Sequence, residues 1–488
     1  MASTVGVHPH LSPNMPFIVS CSTEKVDQAT RKLIRSHVMR GKKTKKVKRL
    51  AIASSLSPAS SAEPDKIQVN IHDVISMYSV LQPPVCLFLY PCFVNFPDEI
   101  EPRVLWEMQQ VSSVAMRIIF PLLMDLGYHP KGQSWFFPTG NDAAAWHINA
   151  FAIQSFIDRV LHGRPQHKVN SVATRHYLKG LDILRQRLAG NDDKAKVSDA
   201  TISVVLKLAS AAGFDGDTAT AKRHMQGLRK MTDMRGGLAA MSHNPKLLVE
   251  IWRCDLSIAL LACSDPVFYC TPHEPVPDYP PEVFPDFGVG HGGGAYLQED
   301  QRVIHFLHKS TAQVWLAMRK FCLLANLGTQ TRMRLSPIAI YGTMRAVMYR
   351  LLRMKYEAGT LDESLRLGLL AFTHHVFLQW QDMKMPPHHP FSGIYRHYLQ
   401  DYALKDTMPP HLSLWLLMIG EVSSFSLSGE WPLRDHLQTQ IEKNGIRSWN
   451  DMVYVLKSSL WISILDDRSG NIIYDTISEK FRHPNEKV

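Results

Sequence analysis

Beyond about residue 67, apolar residues recur every three or four positions along most of the chain, a period that predicts helices rather than strands. Residues 103–126, opened by Pro102, place Leu105, Met108, Val111, Ala115, Ile118, Leu122 and Leu126 on one broad stripe. Residues 143–161 do the same with Trp146, Ala150, Ile153, Ile157 and Val160. Four more helices are expected over 171–188, 199–212, 218–234 and 245–262, with Asp217 capping the third, Gly236 stopping it, and Asn244-Pro245 opening the fourth. The short links between them predict antiparallel neighbours. Helices are expected again over 303–325, 336–355, 361–381, 411–427 and 448–465.

The pattern breaks in three places. Residues 51–66, rich in Ala, Ser and Pro, offer too little apolar surface to order themselves and read as a flexible linker. Residues 265–300 carry seven prolines between Pro266 and Pro285 and then a glycine cluster, which predicts a long loop. Its acidic and aromatic residues read either as an activation-type segment or as a surface loop whose aromatics pack on the body. Residues 468–488 read as a polar tail. The expected architecture is all-α: an N-terminal region 1–66, with a basic arm at 22–50 and the linker at 51–66, then a helical domain of stacked antiparallel helices over 67–467.

Charge changes this picture at one point. Residues 31–49 hold Arg31, Lys32, Arg35, Arg40, Lys42, Lys43, Lys45, Lys46, Lys48 and Arg49 with no acid among them, and outside them 44 basic residues face 44 acidic ones. The whole formal net charge of +10 therefore sits in this arm, on a neutral body. The run matches the short basic clusters read by a nuclear import receptor, and the same cations suit loose, salt-sensitive contact with DNA phosphates. It has no reading head, because no leucine heptad follows it and no finger or recognition helix accompanies it.

Candidate chemistry is sparse. The seven cysteines are scattered without zinc-ligand spacing and read as reduced thiols of an intracellular protein. No signal peptide or membrane span is expected. His291-Gly292-Gly293-Gly294 looks like an oxyanion loop but has no nucleophile elbow to serve, and there is no phosphate-binding glycine motif. His374, His375, His388, His389 and His397 lie close together in sequence, but their spacing matches no metal site. No catalytic, cofactor or metal site is expected, and an enzyme is not.

Two stretches carry a resemblance. One is His224-Met225-Gln226-Gly227-Leu228, then Met231, Arg235-Gly236-Gly237-Leu238, Asn244-Pro245-Lys246-Leu247 and Asp255; the other ends in Ile34-Arg35-Ser36-His37-Val38-Met39-Arg40. Fainter echoes follow at 365–370, 414–420 and 460–462. Together they resemble the fungal-specific transcription factor domain, the helical regulatory region that usually accompanies a binuclear zinc-cysteine cluster. This sequence lacks that cluster and so resembles members without it. The resemblance implies a nuclear regulator of transcription, often dedicated to one metabolic or secondary-metabolite pathway. It implies DNA contact made directly but loosely or through another transcription factor, and a homodimer. The rival readings are a co-regulator or helical scaffold that does not bind DNA and, behind it, a helical biosynthetic enzyme.

Overall fold

The computed structural model describes residues 98–127, 142–158, 170–269, 275–277, 303–380, 390–401, 408–423 and 431–482. All of them belong to the second of two units into which the chain divides, Gln68–Val488. The described residues form sixteen α-helices and no strand, so the all-α expectation holds.

The helices of the first half are α1 (Pro102–Ile119), α2 (Pro121–Leu126), α3 (Ala143–Phe156), α4 (Ser171–Ala189), the single turn α5 (Asp193–Lys196), α6 (Asp199–Phe214), α7 (Thr218–Met234) and α8 (Pro245–Leu261). The second half comprises α9 (Lys309–Thr331), α10 (Pro337–Arg353), α11 (Leu361–Phe377), α12 (Pro390–Asp401), α13 (Pro410–Val422), α14 (Trp431–Lys443), α15 (Trp449–Ser458) and α16 (Ser463–Arg482). The expected caps are present: the Asp217 carboxylate accepts from Thr220 N, and Asn244 Oδ1 accepts from Leu247 N with Pro245 at the first helical position.

Where the helices differ from expectation, the cause is local. The single helix expected over 103–126 breaks at Phe120, because Pro121 has no N–H to continue the ladder. The helix expected over 448–465 ends at Ser458, and the polar tail expected over 468–488 is helix α16 as far as Arg482. Its buried face is a narrow stripe that includes Tyr474 and Ile477, while Gly470 lets its backbone approach the rings of Trp449 and Trp461. Helices α12 and α14 were not expected from the sequence. In the 265–300 loop, only 265–269 and 275–277 are described; there Phe268 is buried and Val276 packs on the body.

Helix α8 joins the two halves because it is apolar on two faces. Leu247, Leu248, Ile251 and Ile258 enter a core formed with α6 and α7, while Val249, Leu256 and Leu260 enter the larger core of the second half. At its C-terminal end Asp255 is buried; its carboxylate accepts from Val267 N, Phe268 N and the Tyr349 hydroxyl, at 2.8, 2.8 and 2.9 Å. Burial raises the Asp255 pKa even though these three donors oppose the shift. The segment after α8 is thus pinned back onto it.

Residues 193–214 are apolar enough over their length to cross a bilayer. Within them, however, Ile202, Val204, Val205, Leu206 and Leu208 are buried among the other helices, which is the environment of a core helix.

Candidate functional site

The third face of α8 is neither apolar nor exposed in the usual way. Glu250, Arg253, Cys254 and Ser257 follow at helical spacing, and all four line a cavity of about 270 Å³. Its other walls come from α1, α3, α6 and the end of α11, and most of that lining is apolar, including Ile118, Ile153, Leu206 and Leu261. An aromatic group stands at one side: Trp380 lies 5.8 Å from Phe156 and 4.4 Å from Phe214 between ring centroids. The volume falls at the lower edge of small-molecule sites, about 300–1,000 Å³.

The polar groups of this chamber are held in different ways. Arg253 is committed to structure. Its guanidinium donates to the backbone carbonyls of Ile119, Phe377 and Leu378 and lies 4.4 Å from the centre of the Phe120 ring. It thereby ties the break between α1 and α2 to the end of α11, and burial lowers its pKa to about 10. Ser210 Oγ lies 3.3 Å from Cys254 Sγ. Burial pushes that thiol up to about 12, so it stays protonated and is a poor nucleophile.

Lys207 differs. It projects from α6 with the Asn149 side-chain oxygen as its hydrogen-bond acceptor, and protein surrounds it. It nonetheless keeps partial exposure, and it lines the cavity. Burial lowers its pKa to about 8; the Glu250 carboxylate opposes this and Lys246 adds to it.

A second polar cluster lies where α3 meets α4. The Nδ1 atoms of His147 and His176 face each other at 2.9 Å, and both rings are buried. His147 Nε2 lies 3.2 Å from Asp98, and His176 Nε2 lies 3.2 Å from Glu101. Each nitrogen–carboxylate contact requires an N–H, and the nitrogen–nitrogen contact requires one proton between the rings. Satisfying all three takes one proton more than two neutral imidazoles carry. Burial, and then the neighbouring His147, lower the His176 pKa. Outside the cluster, Lys179 also bonds Asp98 and holds its carboxyl at about 2.

The residues singled out from the sequence fall into two sets. All ten basic residues, Arg31, Lys32, Arg35, Arg40, Lys42, Lys43, Lys45, Lys46, Lys48 and Arg49, lie outside the described residues, as does the 291–294 glycine run. The motif around α7 is described in full. Leu228 is buried, while His224 and Gly227 are partly exposed on the same helix. Gly236 and Gly237 take φ of 104° and 85°, and Gly237 N donates to Thr232 O at 2.8 Å, closing the helix as the double glycine predicts.

Arg235 and Asn244 then converge on one carboxylate that sequence reasoning missed. Asp199, the first residue of α6, accepts from Arg235 Nη1, from Asn244 Nδ2 at 2.7 Å and from His243 Nε2 at 3.2 Å. This knot fastens both ends of the α7–α8 turn to the start of α6, so the motif is structural and lies apart from the cavity lining.

Of the histidines that invited a metal reading, His374, His375 and His397 do not meet, and His388 and His389 lie outside the described residues. His374 lines the cavity, His375 Nε2 is 2.7 Å from the buried Asp466, and His397 pairs with Asp401 at the surface. Among the described residues, no group of three or more His, Cys, Asp or Glu is placed to hold a metal ion. The cavity residues were overlooked for a different reason. Lys207 and Ser210 on α6, and Glu250, Arg253, Cys254 and Ser257 on α8, are polar residues at i, i+3, i+4 and i+7 within apolar helices, a signal visible in the sequence but hidden by the apolar stripes beside it.

No family model, curated protein or solved structure matches this chain.

Proposed function

We propose that this chain is a nuclear regulator of transcription, in which a basic arm delivers the protein and makes loose phosphate contacts while the helical body receives a partner or effector. The observation that carries this reading is the confinement of the entire net charge to residues 31–49 beside a neutral body. Charge gathered in this way contributes nothing to burying a core and is suited to an acidic groove or a phosphate backbone. The Arg235-Gly236-Gly237 turn and the Ile34–Arg40 stretch, which resemble the fungal-specific transcription factor domain, support the same reading and its extension to one metabolic or secondary-metabolite pathway.

The test replaces Lys42, Lys43, Lys45, Lys46, Lys48 and Arg49 with Gln in a fluorescently tagged protein. Loss of nuclear accumulation is the expected result; unchanged accumulation overturns the import role. For DNA, the expected result is an affinity that falls steeply with salt in the native chain and loses most of that slope in the Gln variant. A co-regulator that reaches DNA only through another factor is the second reading, favoured by the lack of any reading head near the arm. Chromatin association that vanishes with a second factor while purified protein shows no salt-dependent DNA affinity would select it.

A further inference from the structure

We propose that the cavity between α3, α6 and α8 is a binding site for a small, largely aromatic molecule bearing one carboxylate, with the carboxylate seated on Lys207 and the apolar part against Phe156, Phe214 and Trp380. This goes beyond the regulatory reading and does not depend on it.

The charges of the chamber differ in how far they are already matched. The charged or titratable groups around Lys207 are Asp215 at the end of its own helix, Glu250, Arg253 and Cys254 on α8, and His374 on α11; Lys246 on α8 lies just behind. Glu250 has the Lys246 ammonium 4.0 Å away. Arg253 directs three of its five N–H donors at backbone carbonyls and lies over the Phe120 ring, and the Cys254 thiol is neutral. An ammonium has three N–H donors, and among the described residues the acceptor that the structure gives Lys207 is the neutral Asn149 amide. A buried cation with donors to spare at the edge of an apolar space is costly unless an acceptor completes it. A carboxylate does so with charge-assisted hydrogen bonds strengthened by the dry surroundings.

The shape of the chamber selects the remainder of the ligand. With Phe214 and Phe156 flanking Trp380, one side of the space is built from ring faces and edges, which suit a planar aromatic body. At about 270 Å³ the space is large enough for a bicyclic acid. The lowered Lys207 pKa gives the site a pH signature. The ammonium is mostly charged at pH 7 and mostly neutral two units above its value of about 8, so preference for an acid should fade at alkaline pH.

The probes are 2-naphthoate and its neutral counterpart naphthalene-2-methanol, titrated calorimetrically into the full-length protein at pH 7 and at about pH 10. At pH 7 the acid should bind about tenfold more tightly than the alcohol. The two affinities should converge at the higher pH, and also at pH 7 in Lys207→Met, where the alcohol's affinity is kept. That substitution removes a buried charge while keeping the length of the side chain, and an unchanged or raised melting temperature would show that the fold is intact. A second variant, Ala211→Phe, fills the space and should abolish binding of both probes. Equal affinity for the two probes at pH 7, an acid preference that survives Lys207→Met, or failure of both probes to bind the native protein would each overturn the proposal. Because none of these readouts involves the nucleus or DNA, their failure leaves the regulatory reading to its own test.

Discussion

The two halves of the helical body solve the same packing problem in opposite ways. In the second half, the core is filled with large rings. Trp415 is fully buried, its indole N–H donates to Leu460 O at 2.8 Å, and Trp315 and Phe372 lie 5.3 and 6.1 Å from it between ring centroids. Helix α13, which carries Trp415, is buried on nearly every side from His411 to Ile419, as a helix apolar all round must be. In the first half, the core of α6, α7 and α8 is built mainly from aliphatic side chains with Met225, Met241 and Phe268, its turns are fastened by carboxylates such as Asp199, and beside it lies a chamber lined by the Lys207 ammonium. A core close-packed with rings resists change, whereas one that leaves a lined space can accept something. The candidate site accordingly lies mostly on helices of the first half, closed on one side by His374, Leu378 and Trp380 of the second.

The sharpest way to break the contrast is to hollow out the filled half. Trp415→Ala removes an indole and orphans the Leu460 carbonyl, and should cost about 3–5 kcal/mol in urea unfolding. A loss below about 1 kcal/mol would mean that this core is less tightly built than the contrast requires.

Glycines give a milder test. A methyl group at Gly368, on α11, would meet the side chain of Leu416 and lie 2.8 Å from the Trp415 ring. Gly368→Ala should therefore destabilise by about 1–3 kcal/mol through overpacking, readable as a lower urea midpoint.

Histidines distinguish the halves by the direction in which pH acts. His176, in the first half, has its folded pKa lowered by burial and by His147, so the folded state takes up fewer protons than the unfolded chain. Its contribution is intact above the unfolded histidine value and is lost as pH falls through the range below it. His375, in the second half, is opposed by burial, but its bonds to Asp466 and Gln379 outweigh this and raise its pKa. Its contribution is complete below the unfolded value and is lost as pH rises through the raised one. Urea midpoints measured from pH 5 to pH 8 should lose their acid-side fall in His176→Gln and their alkaline-side fall in His375→Gln. Matching profiles for the two variants would remove this part of the contrast.

The smallest effect is expected at Gly227 on α7, where a methyl group would meet nothing within 4 Å. Gly227→Ala should stabilise the first half by about 0.5–1 kcal/mol. A destabilisation would show that this glycine is required for a reason other than space.

Much of the helix pattern could be read without the structure, because caps and breakers act over a few residues. Asp217 and Asn244-Pro245 start helices where expected, and Gly236-Gly237 ends one. The break at Phe120 was equally local but was masked by the regular apolar stripe running through Pro121. Helix α16 was missed because its buried face is narrow and its remaining residues are polar. The candidate site was hardest to read. A polar stripe on α8 is indistinguishable from a solvated face until other helices are seen to close over it.

What the sequence settles by itself is therefore short-range and additive: all-helical character, most helix starts, and the separation of a charged arm from a neutral body. Each depends on neighbouring residues or on charge summed along the chain. Only the tertiary structure decided that Arg235 and Asn244 share Asp199, that His147 and His176 meet between two carboxylates, and that Lys207 stands beside an apolar chamber with donors to spare. Those facts depend on residues tens of positions apart meeting at hydrogen-bond distance, and on which faces of the helices are left uncovered once the cores have packed. No periodicity along a single chain encodes that.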